Sequence, residues 1–148
     1  MQMRSNYYAS DGAAYERFLG RWTRLLAPRL IDFANFGQDG ALLDVGTGTG
    51  SLAFAMAARW PSRPVVGIDI AAPYIAFARS QPAPALLSFE VGDGNHLRHE
   101  DQYFSGSAAQ LVLNFVPDAA VAIQEMRRVT RSRGTVAAAV WDFRGGLV

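Results

Sequence analysis

The stretch Asp44-Val45-Gly46-Thr47-Gly48-Thr49-Gly50 decides how this chain is read. Just ahead of it, Leu42, Leu43 and Val45 form a short apolar run that suits a strand buried on both faces, and Gly46 stops the run. Just behind it, Leu52 to Trp60 is rich in Ala, Leu and Met and reads as a helix that Pro61 ends. Alternating glycines at such a strand-to-helix turn let the backbone approach a ligand closely, and the helix N-terminus supplies free N–H groups and partial positive charge. The turn therefore suits a carboxylate or a phosphate, or it is a tight turn that needs glycine for backbone reasons alone. A dinucleotide fold wants G-x-G-x-x-G, a register that puts Ser51 where the third glycine belongs. The pattern here is D-x-G-x-G-x-G, which argues against a nicotinamide enzyme on the same sheet.

Outward from this turn the same alternation continues. Val65, Val66, Ile68 and Ile70 give a second β-branched strand, and Pro73 fits the first turn of a helix running to Arg79. Pro82 and Pro84 stiffen a loop before a third strand, Leu86 to Val91, which Gly92-Asp93-Gly94 ends. Residues 95 to 106 read as polar loop and Ala108 to Phe115 as a fourth strand, for which Gly106, Ser107, Ala108 and Ala109 make a weak start. Asp118 is a natural N-cap for a helix whose buried stripe is Ala119, Ala122, Ile123, Met126 and Val129. Gly134 punctuates it before a fifth strand, Thr135 to Val140. On the N-terminal side, residues 1 to 11 are polar and expected to be mobile. From Ala13 to Phe36, the residues Tyr15, Phe18, Trp22, Leu25, Leu26, Leu30 and Phe33 recur at helical spacing. Gly20 and Pro28 are expected to split this stretch, and Gly37 and Gly40 to close it. Strands alternating with helices imply βαβ units, an α/β fold and a parallel sheet with right-handed crossovers.

Composition narrows the function classes. The chain has 148 residues, half of them hydrophobic, which is one domain with room for a proper core. Its 14 basic residues, all Arg, stand against 13 acids, so the formal net charge is +1. No global field favours nucleic acid or an anionic membrane. The absence of cysteine excludes disulfides, zinc–thiolate sites and Cys nucleophiles. Met1 to Tyr15 lacks an apolar signal core, and no run approaches the roughly 18 apolar residues of a membrane span. The expectation is a soluble, cytoplasmic protein with no nucleic-acid or membrane partner. His96 and His99 have metal-like spacing but sit in a polar loop without a third ligand cluster, so no metal site is expected. Arg127, Arg128, Arg131 and Arg133 read as a solvated helix end.

The glycine turn resembles the first motif of class I S-adenosylmethionine-dependent methyltransferases, where the loop wraps the amino-acid end of the cofactor. The resemblance implies a Rossmann-like three-layer sandwich with a mostly parallel sheet. It assigns cofactor contacts to Asp44, Gly46, Thr47, Gly48 and Gly50. Asp69 lies 25 residues after Asp44, at the end of strand two. An acid about 20 residues past such a loop can accept both hydroxyls of a ribose; it is otherwise an N-cap for the helix near Pro73. The family carries an acid at this position, and Ile70 beside it packs on the adenine or belongs to the core. Asp93 and Gly94 match the family's adenine-binding positions, although Gly-Asp-Gly alone is an ordinary turn. The segments Gln110 to Asp118, Glu125 to Val129 and Gly134 to Val136 resemble a small-molecule, type 11-like branch. The N-terminal segment from Tyr15 to Trp22 does so too, and in that branch it caps the cofactor. Gln110 and Tyr15 join the expected cofactor contacts. Trp22 could line the pocket as well, and Tyr7 and Tyr8 either line it or belong to a loose tail.

Two departures from the family pattern shape the expected function. Phe104 is followed by Ser105 where the family often has Asp, and the chain ends after strand five where the family has seven strands. The expected division is 1–40 as helical cap and 41–148 as core, one domain lacking strands six and seven. The expected activity is methyl transfer from S-adenosyl-L-methionine to a small molecule, leaving S-adenosyl-L-homocysteine. The transfer requires no protein nucleophile, so no catalytic residue is assigned. The other reading is a truncated homologue that binds the cofactor, or merely folds, without catalysis. Its exposed fifth strand would pair chains into a homodimer.

Overall fold

The alternating periodicities fold as one sheet between helices in the computed structural model, which describes residues 11–145. Tyr7 and Tyr8 lie outside the described residues. The elements run α1 (Gly12–Tyr15), a π-helical turn (Glu16–Gly20), α2 (Arg21–Ala34), β1 (Leu42–Val45), α3 (Ser51–Arg59), β2 (Val65–Asp69) and α4 (Ala72–Ser80). Then follow β3 (Leu87–Val91), β4 (Phe104–Gln110), α5 (Ala119–Val129) and β5 (Thr130–Ala139). The sheet order is β3-β2-β1-β4-β5, and every pairing is parallel. From β1 the chain winds outward to β3, returns to the far side of β1, and winds out again to β5. The order therefore reverses between β1 and β4. In an open parallel sheet a ligand binds in the crevice beyond the carboxyl ends of the strands at that reversal.

Alternation along β1 builds two cores. Leu42 packs with Leu30, Leu52, Met56 and Ile75 from α2, α3 and α4. Leu43 and Val45 face the other way, toward Phe104, Met126 and Val129 of β4 and α5. All four residues of β1 are buried, as an apolar run covered on both faces demands.

Several expectations are corrected by the structure. Pro28 does not split the helix, because α2 runs unbroken from Arg21 to Ala34. Pro28 sits on its exposed side, where a carbonyl that loses its N–H partner can turn to water. β4 begins at Phe104, four residues earlier than expected, and 111–115 is turn. Its small residues are wanted there. A Cβ on Gly106 would run into the Phe36 ring, which covers this strand, and fully buried Ser107 hydrogen-bonds Thr130 at 2.9 Å. β5 starts directly at the end of α5, and its register with β4 shifts between Phe104 and Gly106, with Arg133 at φ 64°. Ile123 is exposed and lies outside the stripe of Ala122, Met126 and Val129. Phe18, Trp22, Leu25 and Phe33 also face outward, so the N-terminal stripe is not one face but two. His99 is not solvated: it packs against Phe104 with ring centroids 4.9 Å apart. Among the described residues no cluster of three potential metal ligands occurs, and no helix is long and apolar enough to cross a membrane.

Arg63 fastens the loop between α2 and β1 to the sheet. Its guanidinium is buried and donates to the carbonyls of Gly37, Asp39 and Gly40 and to Ser105 Oγ. Ser105 Oγ in turn donates to the Ala41 carbonyl. Arg63→Ala removes four hydrogen bonds, one of them to buried Ser105, and should cost about 3 kcal/mol in urea unfolding. Arg63→Lys should recover little of it, because one ammonium cannot span the fork. A loss below about 1 kcal/mol for the alanine variant would show that the loop does not depend on this group.

Candidate functional site

The glycine turn is organised by a carboxylate placed beneath it. Asp44 is on the side of β1 that faces α3, with no exposed surface. Its Oδ2 accepts from Thr47 Oγ1 at 2.6 Å and from the Ala53 N–H at 3.0 Å. The N-cap of α3 is Gly50, which has no side chain to cap with. Asp44 therefore reaches from the strand to satisfy an N–H of the first helical turn. Between these anchors Gly46, Gly48 and Gly50 take φ of 69°, 57° and 98°, left-handed values that residues with a Cβ rarely adopt.

The other strand ends converge on this turn. Asp69 Oδ2 accepts the Gly48 N–H at 2.8 Å, and its Oδ1 accepts the Ala71 N–H at 2.8 Å. Asp69 is thus not the N-cap of α4, a position that Ala71 holds. Ile70 is 71% exposed, which removes it from the core. Asp93 Oδ1 accepts the Asn95 N–H, a local turn that sets Gly94 against Val45. Gln110 ends β4 and donates through Nε2 to the Thr23 carbonyl at 3.0 Å.

The cap comes from the N-terminal segment. Tyr15 lies over Gly48, where an added Cβ would sit 3.8 Å from the phenol ring, and it packs on Tyr74 at 4.9 Å. Glu16 Oε1 accepts from Thr49 Oγ1 at 2.5 Å, and its other oxygen pairs with Arg24. Thr23 Oγ1 and Ser51 Oγ lie 2.9 Å apart. A cavity of about 10 Å³, room for little more than one water-sized group, is lined by Tyr15, Thr23, Asp44, Thr47, Ser51 and Gln110, among others. Within it Asp44 Oδ1 and Gln110 Oε1 are buried and have no hydrogen-bond partner.

Of the residues that the resemblance assigns to the cofactor, Asp44, Gly46, Thr47, Gly48, Gly50, Gln110 and Tyr15 lie around one turn, and Asp69 is bonded to it. Ile70, Asp93 and Gly94 lie at the neighbouring strand ends. Glu16, Thr23 and Ser51 were missed as site residues. The available signal for Thr23 was a polar residue on the helix face that also carries Ala27, Leu30 and Ala34.

Burial pushes the Asp44 carboxyl up to about 7, against the pull of its bonds to Thr47 and Ala53 and with a further upward push from the Asp69 charge. Burial also raises Asp69, opposed by the Ala71 and Gly48 N–H groups. Two carboxyls that resist ionisation thus flank the turn.

Comparison with known proteins places this geometry. A family model described as a methyltransferase domain matches residues 43–138, from β1 to β5. A demethylmenaquinone methyltransferase from Roseiflexus castenholzii is 36% identical over 98 residues, covering 66% of this chain and 41% of the relative. A Methanococcus maripaludis structure assigned to the S-adenosyl-L-methionine-dependent methyltransferases superimposes with a TM-score of 0.74. It is 21% identical and aligned over 94% of this chain and 68% of its own, so it speaks for the fold. The [4+2]-cyclase SpnF is 27% identical with a TM-score of 0.65, over 93% of this chain and 50% of its own. The chain spans about half the length of the curated relatives it matches.

The raised Asp44 carboxyl makes a signed prediction. The folded state holds this proton more tightly than the unfolded chain, whose carboxyl titrates near 3.8. The stabilisation is therefore full below about pH 4 and is lost as pH rises through about 7. The loss amounts to about 4 kcal/mol. Asp44→Asn should remove most of that decline in urea melts between pH 4.5 and 7.5, a window set by the same linkage (roughly the span between the two titrations). Parallel stability–pH curves for the two proteins would refute the buried, proton-holding carboxyl.

Proposed function

The chain belongs to the methyltransferase-domain family, and from that premise we propose that it binds S-adenosyl-L-methionine at the carboxyl ends of β1 to β4 and transfers its methyl group to a small molecule. The observation that carries this reading is the pair of buried, unpartnered acceptors, Asp44 Oδ1 and Gln110 Oε1, beside the glycine turn. An ammonium group within reach of both would satisfy them and draw Asp44 into its ionised form, and the amino-acid end of the cofactor has one. Tyr15, Thr47 and Gly48 would enclose that end. Each Asp69 oxygen already takes one backbone N–H and keeps a lone pair for a ribose hydroxyl. Exposed Ile70 would lie along the adenine, with the free Asp93 oxygen and the Gly94 N–H at its polar edge. Residues 1–40 would act as the cap and 41–148 as the core that holds the ligand.

The cofactor supplies a methyl group already activated on a sulfonium, so transfer is an in-line displacement that leaves S-adenosyl-L-homocysteine. The chain's own residues position the donor and keep water from it. No protein nucleophile enters the scheme. A quinone-type acceptor is the first to assay, because the Roseiflexus relative is named for demethylmenaquinone.

A second reading, cofactor binding without transfer by a self-associating chain, is favoured by one observation. β5 pairs only with β4 among the described strands, and Val136 and Val140 on and beside it are exposed. Light scattering behind size exclusion should then detect dimers at high concentration. Monomer throughout would sink pairing through β5.

Calorimetric titration with S-adenosyl-L-homocysteine tests the main reading. The wild type should bind in the micromolar range, and Asp69→Asn should bind about 10- to 100-fold more weakly, the effect of losing a charged hydrogen-bond acceptor. A folded wild type that takes up no heat would overturn the cofactor assignment.

A further inference from the structure

The helix that carries the cap has a second apolar face turned to solvent. At about 3.6 residues per turn, Trp22, Leu25, Arg29 and Phe33 fall on one side of α2, about a third of a turn round from Thr23, Ala27, Leu30 and Ala34, which are buried. Phe18 on the preceding π-helical turn joins the outward group. Phe18 is 79% exposed, Trp22 58%, Leu25 57% and Phe33 80%, which is far from the usual fate of large apolar side chains set so close together.

Charge on the same segment is lopsided. Arg17, Arg21, Arg24 and Arg29 all fall within it and are exposed. The acids within it are Glu16 and Asp32, and Glu16 turns inward to Thr49 and Arg24. Residues 16–34 therefore carry an excess of two positive charges, while the rest of the chain carries one net negative charge. The overall +1 conceals this separation. The Arg21 guanidinium lies 5.4 Å from the Trp22 ring centroid, so cation and indole are held side by side on the surface. Aromatic and aliphatic side chains flanked by arginines suit the boundary between acyl chains and anionic head groups. A second copy fits less well, because two-fold pairing would bring these arginines together with only Asp32 to offset them.

We infer that the outward face of the π-helical turn and α2 is a docking surface for an anionic lipid bilayer, on which the protein lies peripherally. The inner side of the same helix reaches the glycine turn through the Thr23–Ser51 and Gln110–Thr23 hydrogen bonds. Docking would thus hold the crevice close to acceptors dissolved in lipid. That consequence rests on the proposed cofactor site; the docking does not.

Co-sedimentation with phosphatidylglycerol–phosphatidylcholine vesicles, against pure phosphatidylcholine vesicles, tests the inference. The wild type should pellet with the anionic vesicles and be released by salt. Arg21→Glu/Arg29→Glu and Trp22→Ser/Phe33→Ser should each weaken partitioning at least about tenfold. Both pairs lie on the outward surface and should keep the wild-type circular dichroism; the cofactor reading is scored separately, by titration of the wild type with S-adenosyl-L-homocysteine, so the two failures are separable. Absence of binding by folded wild type overturns the inference, as does binding that neither pair of substitutions changes. A dimer in light scattering that Trp22→Ser/Phe33→Ser dissolves also overturns it and gives the face to a second copy.

Discussion

A carboxylate buried at the end of a central strand is the constraint on which the rest of this site depends. Asp44 joins two things that the local chain cannot join unaided. The glycine turn needs left-handed backbone at three positions, and α3 begins at a glycine that cannot cap it. By accepting from Thr47 and from the first turn of α3, one side chain fixes both the fold-back of the loop and the start of the helix. Asparagine would keep one acceptor in place, whereas an apolar residue would leave a buried hydroxyl and a helical N–H unmet.

The loop so fixed becomes the hub to which other elements attach. β2 grips it through Asp69, the cap through Glu16 and Thr49, and α2 through Thr23 and Ser51. Because these bonds reach different chain segments, displacing the cap would disturb the loop, and reshaping the loop would disturb the end of β2. Such coupling keeps a crevice in one geometry without a large apolar contact at its mouth.

How far this was legible in sequence depends on where the decisive atoms lie. The glycine turn, Asp69 and the strand–helix alternation could be read because each is set by local backbone or by a fixed position after a strand. The start of β4 could not. Phe104-Ser105-Gly106-Ser107 lacks bulk and β-branching, yet it pairs with β1 because Phe36, far away in the chain, supplies the missing volume. The junction of α5 and β5 was equally opaque, since Thr130 serves as helix cap and strand residue at once. From Tyr15 to Phe33, large apolar residues recur at spacings of three and four, which predicts helix but not which face is buried. Seven large residues recurring that way over nearly twenty positions wrap onto two sides of a helix, and only packing decides which side is covered.

The distribution of unmet polar groups argues that the crevice evolved to hold something. Of the four buried side-chain atoms without partners among the described residues, Asp44 Oδ1, Asn95 Oδ1 and Gln110 Oε1 lie at or just beyond the carboxyl ends of β1, β3 and β4. His99 Nδ1 is the exception. At the opposite end of the sheet, Arg63 has every arm engaged and Ser105 both donates and accepts. Each unmet group costs roughly 1–3 kcal/mol, a large part of a domain's net stability. If the unmet groups came from imperfect packing, three of the four would not fall at the carboxyl-end side of the sheet. Set there beside three left-handed glycines and a π-helical turn, they are features that a bound, donor-rich ligand would satisfy.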